Sequence, residues 1–262
     1  MILKRPSEIA IMLEAARINR EALESIEPYI KPGVSTLELN TIAEDAILSR
    51  GGRPAFKGYR HPSGGKPFPA SLCTSVNEVV VHGIPNEKPL REGDILSVDI
   101  GTFYKGYAGD MAKTYAIGTI SARAKRLLEV TECALYAGIE QAQAGKRLGD
   151  ISFAIQKVIE DAGYWAIREF VGHGLGLDFH ETPEVPNFGK AGQGPVLRPG
   201  LVLAIEPMVS EKRAKVKVLK DGWTAPTANN ALAAHFEHTV AITEQGPMIL
   251  TAKEVRPLAV AA

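Results

Sequence analysis

The sequence predicts an α+β fold in which helices pack outside one curved antiparallel sheet, with two similar halves in a single domain. Three observations predict it. Helix-like stretches come in pairs, each pair is followed by strand-like runs, and that succession occurs twice. Shifting the first half by 112 residues superposes Gly33 on Gly145, Leu39 on Ile151, Ile47 on Ile159 and Gly51 on Gly163. At a shift of 107, Leu90-Arg-Glu-Gly-Asp-Ile-Leu-Ser-Val-Asp99 matches Leu197-Arg-Pro-Gly-Leu-Val-Leu-Ala-Ile-Glu206. Caps and strands look alike in any protein, but an ordered string of ten positions points to internal duplication, with halves of about 1–118 and 119–262. Each half ends an aliphatic strand on a carboxylate.

Each element has a local reason. Ile9, Met12, Leu13, Ala16, Leu23 and Ile26 follow helical spacing after an N-cap expected at Ser7, and Pro32-Gly33 stops that helix. Ser35 with Glu38 forms a capping box for a second helix carrying Leu39, Ile42, Ala43, Ala46 and Ile47, which ends at Gly51-Gly52. Strands are expected over 71–74, 78–81, 94–102 and 111–117, the last two joined through a Lys105-Gly106 turn. In the second half Ser121 caps a helix bearing Ala124, Leu127, Leu128, Leu135, Ile139 and Ala142, which stops at Gly145. Another begins near Asp150, carries Ile151, Ala154, Ile155, Val158 and Ile159, and ends at Gly163.

Composition narrows the function classes. The 262 residues carry 30 basic and 30 acidic side chains, so the overall basic excess of a DNA-binding protein is missing. Two cysteines, Cys73 and Cys133, make no disulfide framework for a chain this long. Glu8 and Glu14 interrupt the N-terminal apolar residues, and no run reaches the length of a membrane span, so a soluble cytoplasmic protein is expected. One local charge run stands out: Lys212, Arg213, Lys215, Lys217 and Lys220. It reads either as the solvated face of a strand, with Val216 and Val218 alternating inward, or as a docking surface for ribosomal RNA.

The acids carry the chemistry. Asp99 follows a run of aliphatic residues, where a carboxylate is costly unless paired or metal-bound. Asp110 lies across the Lys105-Gly106 turn, which brings the two within about 4.5–8 Å in a hairpin. Glu206 ends Leu-Val-Leu-Ala-Ile, and Glu237 lies beyond an Asp221-Gly222 turn that favours a hairpin, although the 226–230 interruption disturbs the pairing. His173 is flanked by glycines in Gly172-His-Gly-Leu-Gly176, and His180 precedes Glu181. Three acids and one histidine would fill one ordinary metal site. Four acids and one histidine, two of the acids bridging, would hold a pair. Oxygen and imidazole donors without thiolate favour Mn, Fe(II), Co or Zn.

Five strings in order then resemble bacterial type I methionine aminopeptidases: Asn77-Glu-Val-Val-Val-His-Gly-Ile-Pro85, Asp99 with Gly109-Asp110, Gly172-His-Gly-Leu-Gly176 with His180-Glu181, Ile205-Glu-Pro-Met-Val209 and Phe236-Glu-His-Thr-Val240. The resemblance covers essentially the whole chain. It implies the duplicated pita-bread fold and removal of an N-terminal methionine, mainly before a small second residue. It implies that Asp99, Asp110, His173, Glu206 and Glu237 ligate two divalent metals, Asp110 and Glu237 bridging. A bridging water would attack the scissile carbonyl, with Glu206 moving the proton. His180 would bond the carbonyl or its oxyanion, and His82 would assist departure of the amine. The substrate's α-amine would sit near the metal held by Asp99. Tyr59, Phe68, Cys73, Phe179 and Trp223 would wall a methionine pocket, and core packing is the alternative reading of the same residues. Asn77 and Val79 would lend backbone oxygens to a monovalent cation. Neutral composition and family habit favour a monomer.

Two departures bear on this. The loop 60–70 is a few residues longer than usual in that family, which bears on Phe68, and its His61 reads as solvated. Leu177-Asp178 stands where many relatives have Arg, a feature shared with prolidases and Xaa-Pro aminopeptidases. Those enzymes share fold and ligands but carry an extra N-terminal domain and lack the His-Gly-Ile-Pro and Phe-Glu-His-Thr-Val strings. A metal-free binding protein of the same fold would be expected to lose ligands, and all five are present.

Overall fold

Helix α1 (Pro6–Ile26) runs into a short 3-10 turn (Glu27–Tyr29) and is followed by α2 (Thr36–Ser49). The computed structural model describes residues 1–60 and 64–258, so His61 lies outside the described residues. Ser7 is not the cap of α1. Arg5 is, because Pro6 suits the first helical position, where its missing N–H costs nothing. Glu8 reaches back to accept the Arg5 N–H at 2.6 Å. The capping box of α2 is as expected: Glu38 accepts the Ser35 N–H at 2.8 Å, and Ser35 Oγ accepts the Glu38 N–H at 3.2 Å. In the second half Ser121 Oγ accepts the Ala124 N–H at 3.1 Å to start α3 (Ala122–Gln141). Helix α4 (Leu148–Asp161) begins before Asp150, whose carboxylate accepts the Arg147 N–H at 2.8 Å.

The strands are β1 (Arg53–Pro54), β2 (Leu72–Val76), β3 (Val79–Val81), β4 (Ile95–Tyr104), β5 (Tyr107–Ala116), β6 (Trp165–Ala166), β7 (Gly172–Gly174), β8 (Glu181–Val185), β9 (Val202–Ile205), β10 (Met208–Ser210), β11 (Ala225–Pro226), β12 (Ala233–His235), β13 (Glu237–Thr243) and β14 (Gly246–Ile249). The main sheet runs β1-β4-β5-β13-β9-β7-β8, with β2 also on β4 and β14 on β13, and its pairings are all antiparallel. The duplication is visible in this order. From the central seam, β5 then β4 then β2 lead one way, and β13 then β9 then β7 lead the other. The seam itself pairs Glu237 with Ala112 and His238 with Met111.

Both helix pairs cover one face of this sheet. Ile18, Ala22, Leu39 and Ile47 share a core cluster with Leu96, Val98 and Ile100. Leu127, Leu135, Ile151 and Ile155 do the same with Leu203, Ile205 and Val240. Because side chains alternate along a strand, Asp99 must point to the face opposite its neighbours Val98 and Ile100, and Ala204 opposite Leu203 and Ile205. Burying the aliphatic residues under the helices thus forces the acids onto the concave side.

The Lys105-Gly106 hairpin forms with both residues at positive φ, +47° and +86°, between Tyr104 and Tyr107, as a two-residue turn of this hand requires. Asp99 opposes Ala112 and Asp110 opposes Gly101, so the two acids stand diagonally. The Asp221-Gly222 turn also forms, Asp221 accepting the Trp223 and Thr224 N–H groups at 2.8 and 2.9 Å. It does not join a simple hairpin of the two glutamate strands. Strands β9 and β13 pair directly, and the chain between them supplies β10 and β12, which form a separate sheet with β6, and β11, which pairs with β3. The basic segment departs from a strand face as well: Val216 makes one isolated bridge to Thr227, while Val218 is exposed with the five basic residues. Among the described residues no helix is long and apolar enough to cross a membrane.

Candidate metal centre

Two rungs of the main sheet, set two residues apart and so on the same face, carry the acids. Along one, Cys73 opposes Asp99, Asp99 opposes Ala112, and Ala112 opposes Glu237. Along the next, Gly101 opposes Asp110, and His173 opposes Ala204, itself opposite Thr239. The Thr239 hydroxyl stitches this rung, donating to the Asp110 carbonyl at 2.6 Å and accepting its N–H at 3.0 Å. Glu206 follows directly on β9, which brings it beside them. The positions between the acids are Ala112, Gly101 and Ala204, so small residues leave room where ionisable groups converge.

The ligand atoms of Asp110, His173 and Glu237 lie within 4.8 Å of one another, all three residues buried. His173 Nε2 is 3.6 Å from Asp110 Oδ2 and 3.5 Å from Glu206 Oε1. Its Nδ1–H donates to the Gly174 carbonyl at 2.9 Å, which assigns the tautomer and turns the Nε2 lone pair toward the acids. Burial lowers His173 to about 3, with His180 adding to the effect, so it is neutral at physiological pH. Burial also lifts Asp99 to about 7 and raises Asp110, Glu206 and Glu237 well above the carboxylate range. The neighbouring carboxylates push Asp110 and Glu237 further the same way. Asp99 Oδ1, Asp110 Oδ1 and Glu237 Oε1 are buried with no hydrogen-bond partner. Four desolvated carboxylates, three of them with an orphaned oxygen, beside a neutral imidazole are an unstable arrangement alone and a fitting one for divalent cations. Burial, with Asp99, Asp110 and Glu237 close by, pushes the Cys73 thiol up, so it offers no thiolate.

Above the acids opens a cavity of about 370 Å³, whose walls include Tyr59, Phe68, Cys73, His82, Phe179, His180 and Trp223. Every pocket residue named from sequence is there. Phe68 stands edge-on to Trp223 at 5.3 Å between ring centroids. The base of the longer loop is closed by Phe68 N–H to Tyr59 O and Gly58 N–H to Phe68 O, both 2.8 Å, so its extra residues do not displace Phe68. His180 Nδ1 is 2.8 Å from the Tyr59 hydroxyl, and its ring lies 4.3 Å from that of His173. His82, at φ +59°, directly follows β3 and stands edge-on to Phe170 at 5.3 Å and Trp223 at 6.2 Å. Asn77 and Val79 lie outside this cavity. The Asn77 carbonyl accepts the Ala233 N–H at 2.9 Å, and Val79 pairs with Pro226.

Sequence reasoning missed four contributors. His235 is buried, and its Nε2 stands 3.4 Å from Glu206 Oε2. Its spacing of two from Glu237 was the available signal. Asn187 donates to the Glu206 carbonyl at 3.1 Å. Phe56 and Phe170 complete the walls from segments with no regular pattern.

An antiparallel duplicated sheet with helices on its convex face, and carboxylates and a histidine on the concave one, defines a class of metal-dependent peptidases. The chain belongs to metallopeptidase family M24, whose model matches residues 10–244, and it uses divalent metal. Within that family it is similar to methionine aminopeptidase 1 of Bacillus subtilis, at 50% identity over 96% of this chain and 99% of that one. The methionine aminopeptidase of Thermotoga maritima superposes with a TM-score of 0.92 at 44% identity, over 97% of this chain and all of that one. That of Rickettsia prowazekii also gives 0.92, at 38% identity, over 96% and 100%. A prolidase from Pyrococcus furiosus, at 24% identity and a TM-score of 0.76 over 97% of this chain and 66% of that one, is alike in fold alone.

Proposed function

We propose that this chain removes the N-terminal methionine from peptides and nascent proteins in the cytoplasm, preferring a small second residue. One observation carries the reading: buried Asp110 and Glu237, half-buried Asp99 and Glu206, and a neutral histidine converge at the floor of an aromatic pocket. Two divalent ions, of Mn, Fe(II), Co or Zn, would be held by Asp99, Asp110, His173, Glu206 and Glu237, with Asp110 and Glu237 shared. When bound, such ions supply a water acidified from its bulk value toward about 7 and a Lewis acid for a carbonyl.

The chain's own groups do the rest. Glu206 keeps 12% side-chain exposure against 4% for Asp110, and as the more accessible carboxylate it takes and passes the proton. The Tyr59 hydroxyl lies 2.8 Å from His180 Nδ1, and in the tautomer where it donates there, Nε2–H is left to donate to the scissile carbonyl and its developing oxyanion. His82, held edge-on between Phe170 and Trp223, donates toward the departing amine. The substrate's free α-amine sits beside Asp99, which restricts cleavage to the first peptide bond. Tyr59, Phe68, Cys73, Phe179 and Trp223 enclose the methionine side chain, whose flexible thioether suits aromatic walls.

Away from the site, the carbonyls of Asn77 and Val79 would hold a monovalent cation. Exposed Lys212, Arg213, Lys215, Lys217 and Lys220 would contact the ribosome. Ribosome cosedimentation across a salt series, unchanged when these five are replaced by Ser, would exclude that contact. We take the protein to act as a monomer and a single catalytic domain.

Incubating metal-loaded protein with Met-Ala-Ser and with an Xaa-Pro peptide tests the activity. Methionine is expected from the first. Folded protein that releases none with any of the four metals overturns the reading, and turnover of the second peptide alone makes it a prolidase.

A further inference from the structure

Residues 1–5 precede the first helix and lie across the second half of the molecule. The Lys4 N–H donates to the Gly200 carbonyl at 2.7 Å, and the Met1 ammonium donates to Thr182 Oγ1 at 3.2 Å. The Lys4 side chain is itself buried, 3% exposed, and pairs there with an equally buried Glu181. Its Nζ also donates to the Ile2 carbonyl at 3.1 Å. Taking two opposite charges out of water is costly, and such a pair adds little stability over apolar replacements.

What the pair holds is a turn. Glu181 Oε2 faces the ammonium, while Oε1 accepts the Leu177 N–H at 3.0 Å and closes residues 177–181 on themselves. Phe179 and His180 stand inside that closure. At its other root the Gly176 carbonyl accepts the Ala108 N–H at 2.8 Å, from the strand that carries Asp110. A Cβ at Gly176 would overlap Lys4 Cε and Glu181 Oε1, so the lysine packs directly against the backbone of the turn.

We propose that Lys4 is a positioning residue for His180: its buried pair with Glu181 sets the turn that places His180 and Phe179 over the metal centre. The inference rests on the role given to His180 above. Tyr59 holds the His180 ring through Nδ1, and the peptide before Glu181 holds its backbone. Without the ammonium, Glu181 is a buried, unpaired carboxylate, and the turn opens to hydrate it. His180 then loses its aim.

The test compares metal-loaded wild type, Lys4→Met and the double variant Lys4→Met/Glu181→Gln, whose Gln still accepts from Leu177. Methionine release from Met-Ala-Ser is measured well below melting, metal affinity by calorimetry, and opening of the turn by amide exchange at Leu177. Lys4→Met should lower kcat by at least about tenfold, the scale of a sub-ångström misplacement, with metal affinity unchanged and faster Leu177 exchange. The double variant should regain most of the loss. In a His180→Ala background Lys4→Met should cost almost nothing further, since the group it positions is gone.

A pair that only stabilises the fold would lower the melting temperature and leave kcat of the folded enzyme alone. That result overturns the proposal. So does full additivity with His180→Ala, a double variant that recovers nothing, or one that fails to fold. Wild type that releases no methionine refutes the functional reading instead, and Leu177 exchange then still reports whether the pair holds the turn.

Discussion

Replacing Gly101 by Ala tests the pocket and the sheet together. Gly101 opposes Asp110 and lies under the Phe179 ring. A Cβ there would stand 2.6 Å from Phe179 Cε2 and Cζ and 3.0 Å from Phe56 Cε1. Carbon atoms in contact prefer about 3.5–4.0 Å, so the overlap is roughly 1 Å. Phe179 is 6% exposed and edge-on to Phe56 at 5.3 Å, so its ring cannot yield without moving another. Overpacking of this kind costs about 1–3 kcal/mol. At about 2–4 °C per kcal/mol for a chain of this size, the melting temperature should fall by roughly 2–12 °C. The pocket loses a methyl-sized volume where the methionine side chain enters, so KM should rise by about 10–200-fold. Calorimetric melting, steady-state kinetics on Met-Ala-Ser and metal titration measure the three consequences, the last expected unchanged. If melting temperature and KM both stay at wild-type values, Phe179 does not wall the pocket as described.

Three further outcomes are expected. His82→Ala should retain near-normal metal content by elemental analysis while turnover drops by roughly 100-fold or more, the usual scale for a general acid. Asp110→Ala should abolish turnover and metal retention together, because it removes a buried ligand from the centre of the cluster. Stability should depend on pH with a sign that metal reverses. Asp99, lifted by burial to about 7, favours the fold while protonated, and that contribution is fully present below its unfolded value of about 3.9 and lost as pH rises through about 7. His173, lowered to about 3, and the equally buried His235 act the other way, but only below about 6.5. Between about pH 6.5 and 8 the metal-free protein should therefore melt earlier as pH rises, whereas the metal-loaded protein should not, because ligation replaces those protons. Parallel curves with and without metal would refute the assignment of the cluster.

Periodicity made the elements legible. Alternation along 94–102 and 201–206 fixes which residues face helices, and so places Asp99 and Glu206 on the opposite side before any coordinates are known. The repeat placed both carboxylates in equivalent strands. The start of α1 was misplaced because the Ser7 signal competes with Pro6, and the capping role passes to Arg5 and Glu8. The strand reading of 212–220 holds only in part: backbone bonds at Lys215, Lys217 and Leu219 tie the segment to 224–228, but only Val216 forms a bridge and Val218 faces solvent.

His235 shows what pattern does not reach. Its spacing from Glu237 is visible, but its approach to Glu206 at 3.4 Å depends on how the paired strands β9 and β13 sit against the second sheet. The same holds for Asn187 on the Glu206 carbonyl and for Lys4 against Glu181, partners 177 residues apart. Local chemistry in the chain dictates strands, caps and turns and marks the candidate ligands, because those depend on neighbours one to four residues away. The meeting of the two halves, the depth to which four carboxylates are desolvated, and the N-terminal lysine beneath the His180 turn follow from packing between distant segments, which no local pattern encodes.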